Sequence, residues 1–86
     1  MRVTFTENAL AEYISWQQED KKTIKRINQL IQDIQRNGFM IGIGKPEPLK
    51  SRKAFSRRID DANRLVYLGD SEQNLVILSC KGHYED

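Results

Sequence analysis

The stretch "NRLVYLGDSEQNLVILSC", residues 63–80, decides the fold. Two runs rich in apolar and β-branched residues flank the polar turn "DSEQN", the pattern of two adjacent strands in a meander. "LVILSC" is apolar on both of its faces, which predicts a strand in the middle of a sheet rather than at its edge. Immediately upstream "FSRRID", residues 55–60, alternates: Phe55, Arg57 and Ile59 fall on one face, and Ser56, Arg58 and Asp60 on the other. The second half of the chain is therefore expected to be three strands joined as an antiparallel meander.

The first half has a different period. "RVTF", residues 2–5, places Val3 and Phe5 on one side of a short first strand. Thr6 can cap a helix whose apolar face is Leu10, Tyr13, Ile14 and Trp16, and Asp20 can cap a second helix. In that second helix Ile24, Ile27, Leu30, Ile31 and Ile34 recur at helical spacing, and Asn37-Gly38 ends it. Helices joined this closely form an antiparallel hairpin. The fold class expected is α+β: an N-terminal strand, then a two-helix hairpin packed on one face of an antiparallel sheet, leaving the other face for a site. With 86 residues and no repeats or low-complexity segments, the chain is expected to be a single domain over residues 1–86.

Composition narrows the function classes. At 38% hydrophobic and 30% charged residues the chain reads as globular and soluble. No apolar run approaches the roughly 20 residues of a membrane span, and "MRVTFTENALAEY" has no signal h-region, so a cytoplasmic protein with no membrane partner is expected. Cys80 is the sole cysteine and sits in an apolar run, where it reads as a small hydrophobe, and His83 is the sole histidine. No ligand spacing suggests a metal site, and no cofactor is expected. The net charge of +2 is unevenly spread: residues 45–64 hold seven basic and three acidic residues, and the remainder sums to −2. A basic face of this kind suits a polyanion such as nucleic acid, with a merely solvated face as the alternative.

Four groups on that face could carry chemistry. In "GKPEPLK", residues 44–50, prolines on both sides of Glu47 restrict its backbone, and Lys45 and Lys50 flank it. Glu47 reads either as a preorganised base or as an exposed acid on a stiff connector. Arg58 and Arg64 lie at the ends of adjacent strands, where they could share a phosphate or be neutralised by Asp60 and Asp61. His83, after the last strand, could donate a proton or be a bystander, and Tyr84 could stack on a base or cover the sheet edge. A base, cations and an acid on one face suit RNA cleavage by the ribose 2′-OH without a metal. A basic module that binds RNA or the ribosome and acts by occupancy is the rival reading.

"YISWQQEDKKTIKRINQLIQDIQRNGF", "GKPEPLK", "SRRID", "NRLVY" and "HY" together resemble, in order and spacing, the YoeB/Txe family of RelE-like toxins. The resemblance covers nearly the whole chain. It implies a bacterial type II toxin with a microbial-ribonuclease-like fold, an endoribonuclease (mRNA interferase) that cuts mRNA at the ribosomal A site. By position it implies Glu47 as general base, His83 as general acid and Arg64 as the group stabilising the phosphate in the transition state. Lys50 and Arg58 would hold the phosphate, and Tyr84 would orient the nucleotide. It also implies a YefM/Axe-like antitoxin, contact with operator DNA only through the toxin–antitoxin complex, and pairing into a homodimer. Relatives of the same fold that inhibit gyrase by occupancy lack this residue set. The chain departs from the family pattern in a shorter loop before Phe55, in Asn63 where histidine is frequent, and in the added Glu85 and Asp86, whose charge would favour protonated His83.

Overall fold

The computed structural model describes residues 1–83, so Tyr84, Glu85 and Asp86 lie outside the described residues. The chain runs β1 (Val3–Phe5), α1 (Glu7–Glu19), α2 (Lys21–Asn37), β2 (Glu47–Pro48), β3 (Phe55–Arg58), β4 (Arg64–Gly69) and β5 (Leu75–Ser79). The five strands form one sheet in the order β1-β5-β4-β3-β2.

Both expected caps are present. Thr6 accepts the Ala9 N–H at 3.1 Å to start α1, and the Asp20 carboxylate accepts the N–H groups of Lys22 and Thr23 to start α2. These contacts satisfy amides that the first turn of a helix leaves without partners. At the other end of α2 Gly38 donates to the Ile34 carbonyl, with φ +93° and ψ −174°. That conformation turns the chain outward into an extended segment rather than into a left-handed cap.

The core lies between the helices and the sheet. Ile27, Leu30 and Ile34 of α2 are fully buried, each contributing about 1.5–3 kcal/mol, against Leu65, Tyr67, Leu75 and Ile77. In α1 the face differs from the expected one, because Ala9 and Trp16 are buried while Leu10 and Ile14 stay nearly half exposed. Small Ala9 lets the helix approach β5 closely, and Trp16 anchors it by donating Nε1–H to the Cys80 carbonyl at 2.9 Å. That contact fixes the helix rotation and turns Leu10 and Ile14 away.

The sheet is mixed rather than antiparallel throughout. β2, β3, β4 and β5 are antiparallel neighbours, but β1 pairs in parallel with β5, Phe5 opposite Ile77. Alternation identifies a strand without specifying its neighbour, and parallel neighbours need a long crossover, which here is everything from α1 to β4. The second difference is β2, a two-residue strand where a stiff connector was expected. Pro48 is tolerated there because β2 is an edge strand.

Arg57 organises the approach to β2. Its side chain is completely buried and donates to Tyr67 Oη, Asp33 Oδ2 and the carbonyls of Ile43, Gly38 and Ile41, over 2.5–3.0 Å. Tyr67 Oη in turn donates to the Phe39 carbonyl at 2.6 Å. One guanidinium thus gathers the backbone of residues 38–43, a segment with few ladder bonds of its own, and delivers the chain to Glu47. Arg57 is therefore part of the core and contributes nothing to the basic face on which it was counted.

Candidate active site

Sheet register decides which side chains share the open face. Glu47 of β2 pairs with Ser56 of β3, Ser56 pairs with Val66 of β4, and Arg58 pairs with Arg64. Because side chains alternate along a strand, Glu47, Ser56, Arg58 and Arg64 point to the same side, opposite the helices. Two strand spacings and a two-residue offset separate the Cα atoms of Glu47 and Arg64 by roughly 12 Å. Two long side chains across that gap leave room for one phosphodiester.

A cleft of about 200 Å³ occupies this position, lined by Glu47, Lys50, Ser56, Arg64 and His83, with Pro48 and Leu49 as its apolar wall. A larger pocket of about 410 Å³, among Phe39, Leu49, Ala54 and Phe55, carries cations at its rim but no acid–base pair. The donor set and not the volume makes the smaller cleft the candidate. Four of the expected site residues therefore meet, although they are drawn from segments as distant as residues 47 and 83. Lys45 and Arg58 do not line it: the Arg58 guanidinium is engaged with the exposed Asp61 carboxylate. Tyr84 falls outside the described residues.

Each member is held differently. Glu47 is exposed, its backbone fixed by two prolines and by the ladder to Ser56. Arg64, half-buried, donates Nη1–H to Ser56 Oγ at 3.3 Å, and Ser56 itself is buried. Ser56 is a residue that the sequence reading passed over. Its position, one before the paired arginines in an alternating strand, was the available signal, since it shares the face of Arg58.

His83 follows a segment clamped from two sides. On the helix side the Cys80 N–H donates to Glu12 Oε1 at 2.8 Å, while the Lys81 ammonium meets Glu19 at 3.0 Å and lies 4.8 Å from the centre of the Trp16 ring. The hydrogen bond and charge of Lys81 hold the Glu19 carboxyl below its usual value. On the sheet side the Gly82 N–H donates to Asn63 Oδ1 at 2.7 Å and the Gly82 carbonyl accepts from the Arg64 N–H at 3.0 Å.

Two other reactive groups stand apart from the cleft. Burial pushes the Cys80 thiol up to about 12, so it is a neutral packing residue and not a nucleophile. Burial also raises Tyr67, whose hydroxyl belongs to the Arg57 cluster. Among the described residues there is no group of three histidine, cysteine, aspartate or glutamate side chains that could hold a metal ion, and no helix is long and apolar enough to cross a membrane.

A family model described as "YoeB-like toxin of bacterial type II toxin-antitoxin system" matches residues 5–84. The chain is 50% identical to "Toxin YoeB" of Streptomyces coelicolor, over 98% of this chain and 100% of that one. Its structure is similar to that of a YoeB dimer from Staphylococcus aureus, with 48% identity, a TM-score of 0.90 and 98% of both chains covered. A heterotetrameric YoeB–YefM toxin–antitoxin complex from Staphylococcus aureus contains a chain matched with 48% identity and a TM-score of 0.89, again over 98% of both.

Proposed function

The chain belongs to the YoeB-like toxins of bacterial type II toxin–antitoxin systems, and from that premise we propose that it is an endoribonuclease that cuts mRNA in the ribosomal A site and so stops translation. The observation that carries this reading is the cleft that joins Glu47, Lys50, Arg64 and His83 on the open face of the sheet.

In this mechanism Glu47 accepts the proton of the ribose 2′-OH as the 2′-oxygen attacks the adjacent phosphorus. Arg64 and Lys50 stabilise the charge that builds on the non-bridging oxygens, the guanidinium fork matching two of them at once. Protonated His83 gives its proton to the departing 5′-oxygen. The P–O5′ bond breaks, leaving a 2′,3′-cyclic phosphate on one fragment and a 5′-hydroxyl on the other. Arg58, on the same face and half exposed, binds a flanking phosphate once it leaves Asp61, Lys45 adds charge along the RNA path, and Tyr84 orients the nucleotide. No cofactor takes part in these steps.

The ribosome supplies the mRNA in an extended conformation, which a shallow cleft of about 200 Å³ has little surface to impose by itself. By analogy with the Staphylococcus aureus complex, a YefM/Axe-like antitoxin binds the toxin; in this reading operator DNA is contacted only through the joint complex. Two toxin copies pair, as in the YoeB dimer of that organism. The working compartment is the cytoplasm, where translating ribosomes are.

The test is to incubate the purified protein with one mRNA, naked and on programmed ribosomes, and to map the new 5′ ends. Ends concentrated at the A-site codon on ribosomes, and few on naked RNA, are expected. Arrested translation with intact mRNA would replace cleavage by occupancy.

A further inference from the structure

His83 sits beyond the last strand, so no ladder bond sets its position. β5 ends at Ser79, and the described residues after it form no regular element. The side chain of His83 is exposed, which leaves backbone anchoring as the means of aiming the ring. Its immediate neighbour Gly82 is pinned at both of its polar groups by one short segment, through the N–H to Asn63 Oδ1 at 2.7 Å and through the carbonyl to the Arg64 N–H at 3.0 Å. Gly82 holds φ at +88°, a left-handed conformation open to glycine, and this turns both groups toward residues 63 and 64.

Asn63 is itself held on its other side. Its Nδ2 donates to the two carboxylate oxygens of Asp60 at 3.0 and 3.2 Å, and Asp60 Oδ1 also accepts the N–H groups of Ala62 and Asn63. The β3–β4 turn is thereby closed around one carboxylate, and the amide of Asn63 projects from it with its oxygen aimed at Gly82. The bond spans 19 residues of sequence and ends on the residue before His83. A turn stabilised for its own sake would not need that outward contact.

We infer that Asn63 is a positioning residue for His83: through Gly82 it holds the imidazole beside Arg64, the residue next to Asn63 in the chain. The inference rests on the acid role proposed for His83, and extends it to a group that touches neither substrate nor phosphate. A proton donor misplaced by about 1 Å can cost up to about a hundredfold in rate, so loss of the contact is expected to lower kcat about ten- to a hundredfold with little change in KM.

The experiment compares Asn63→Ala in two backgrounds, the parent and His83→Ala, by cleavage rate on programmed ribosomes. If Asn63 acts through His83, the loss appears in the parent background and vanishes in the other. Equal losses in both backgrounds would overturn the inference. Because His83 is the only histidine, its ring signals are assigned without ambiguity in an NMR spectrum. Asn63→Ala should shift and broaden them, whereas Asp61→Ala, which disturbs the same turn without touching Gly82, should leave them as in the parent. Unchanged ring signals in Asn63→Ala would also overturn it. Should Asn63→Ala fail to fold, amide exchange in the parent decides: the Gly82 N–H is expected to be protected, and exchange at the rate of an open amide would refute the contact. The NMR and exchange arms stand even if the parent cuts no RNA, which separates failure here from failure of the ribonuclease reading.

Discussion

Replacing Glu47 with glutamine should lower the single-turnover rate of mRNA cleavage by about 10² to 10⁴-fold, the usual contribution of a positioned general base. Glutamine keeps the length and shape of the side chain and removes only its capacity to take a proton. Glu47 is exposed on an edge strand and its substitution disturbs no buried contact, so the melting temperature should move by no more than about 4 °C. Affinity for programmed ribosomes should stay within about threefold, since the cations of the cleft are untouched. A variant that cleaves at the parent rate would remove Glu47 from the chemistry, and one that unfolds would assign it a structural task.

The largest effect on stability is expected at Arg57. Arg57→Met fills much of the same volume but leaves the Asp33 carboxylate and the carbonyls of Gly38, Ile41 and Ile43 without their shared donor. Removing one partner of a buried, hydrogen-bonded ion pair costs about 3–5 kcal/mol. For a domain this size that is a large share of a total of about 5–10 kcal/mol, and it corresponds to a fall in melting temperature of at least about 12 °C. Thermal unfolding followed by circular dichroism measures it directly. The same pair gives a pH dependence. Its hydrogen bond to Arg57 holds the Asp33 carboxyl below its usual value, so the stabilisation is fully present above the ordinary carboxylate pKa near 4 and is lost as pH falls through the lowered native value. Asp33→Asn should flatten, in part, the loss of stability as pH falls below the ordinary carboxylate value near about 4, only in part because Glu19, Asp20 and Asp70 are lowered as well.

Local patterns made much of this molecule legible in its sequence. Thr6 and Asp20 cap helices because short polar side chains before an apolar periodic run have few other uses, and Ile27, Leu30 and Ile34 face the core because nothing but a 3.6-residue period fits them. What stayed hidden depended on partners distant in the chain. The parallel pairing of β1 with β5 joins residues 72 positions apart, and the strand of Glu47 and Pro48 exists only because Ser56 is present to pair with it. Arg57 was counted with the cations of residues 45–64 although alternation put it on the face of Phe55 and Ile59, because a charge count does not ask which face is covered. For the candidate site, the motifs "GKPEPLK", "NRLVY" and "HY" put forward Glu47, Lys50, Arg64 and His83, which the fold brings to one cleft. Ser56 was not singled out and Asn63 stood out only as a departure from the family pattern, because a serine or asparagine gains its meaning from the atom it faces.

The most direct test of the central claim, attack by the ribose 2′-oxygen, is a single atomic change in the substrate. Programmed ribosomes carrying an mRNA with one 2′-deoxy nucleotide at the scissile position should bind the protein as tightly as the unmodified mRNA and show no cut at that bond, while the unmodified message yields a 2′,3′-cyclic phosphate. Cleavage at the deoxy position at a comparable rate would mean that the 2′-OH is not the nucleophile, and the roles given to Glu47 and His83 would fall with it.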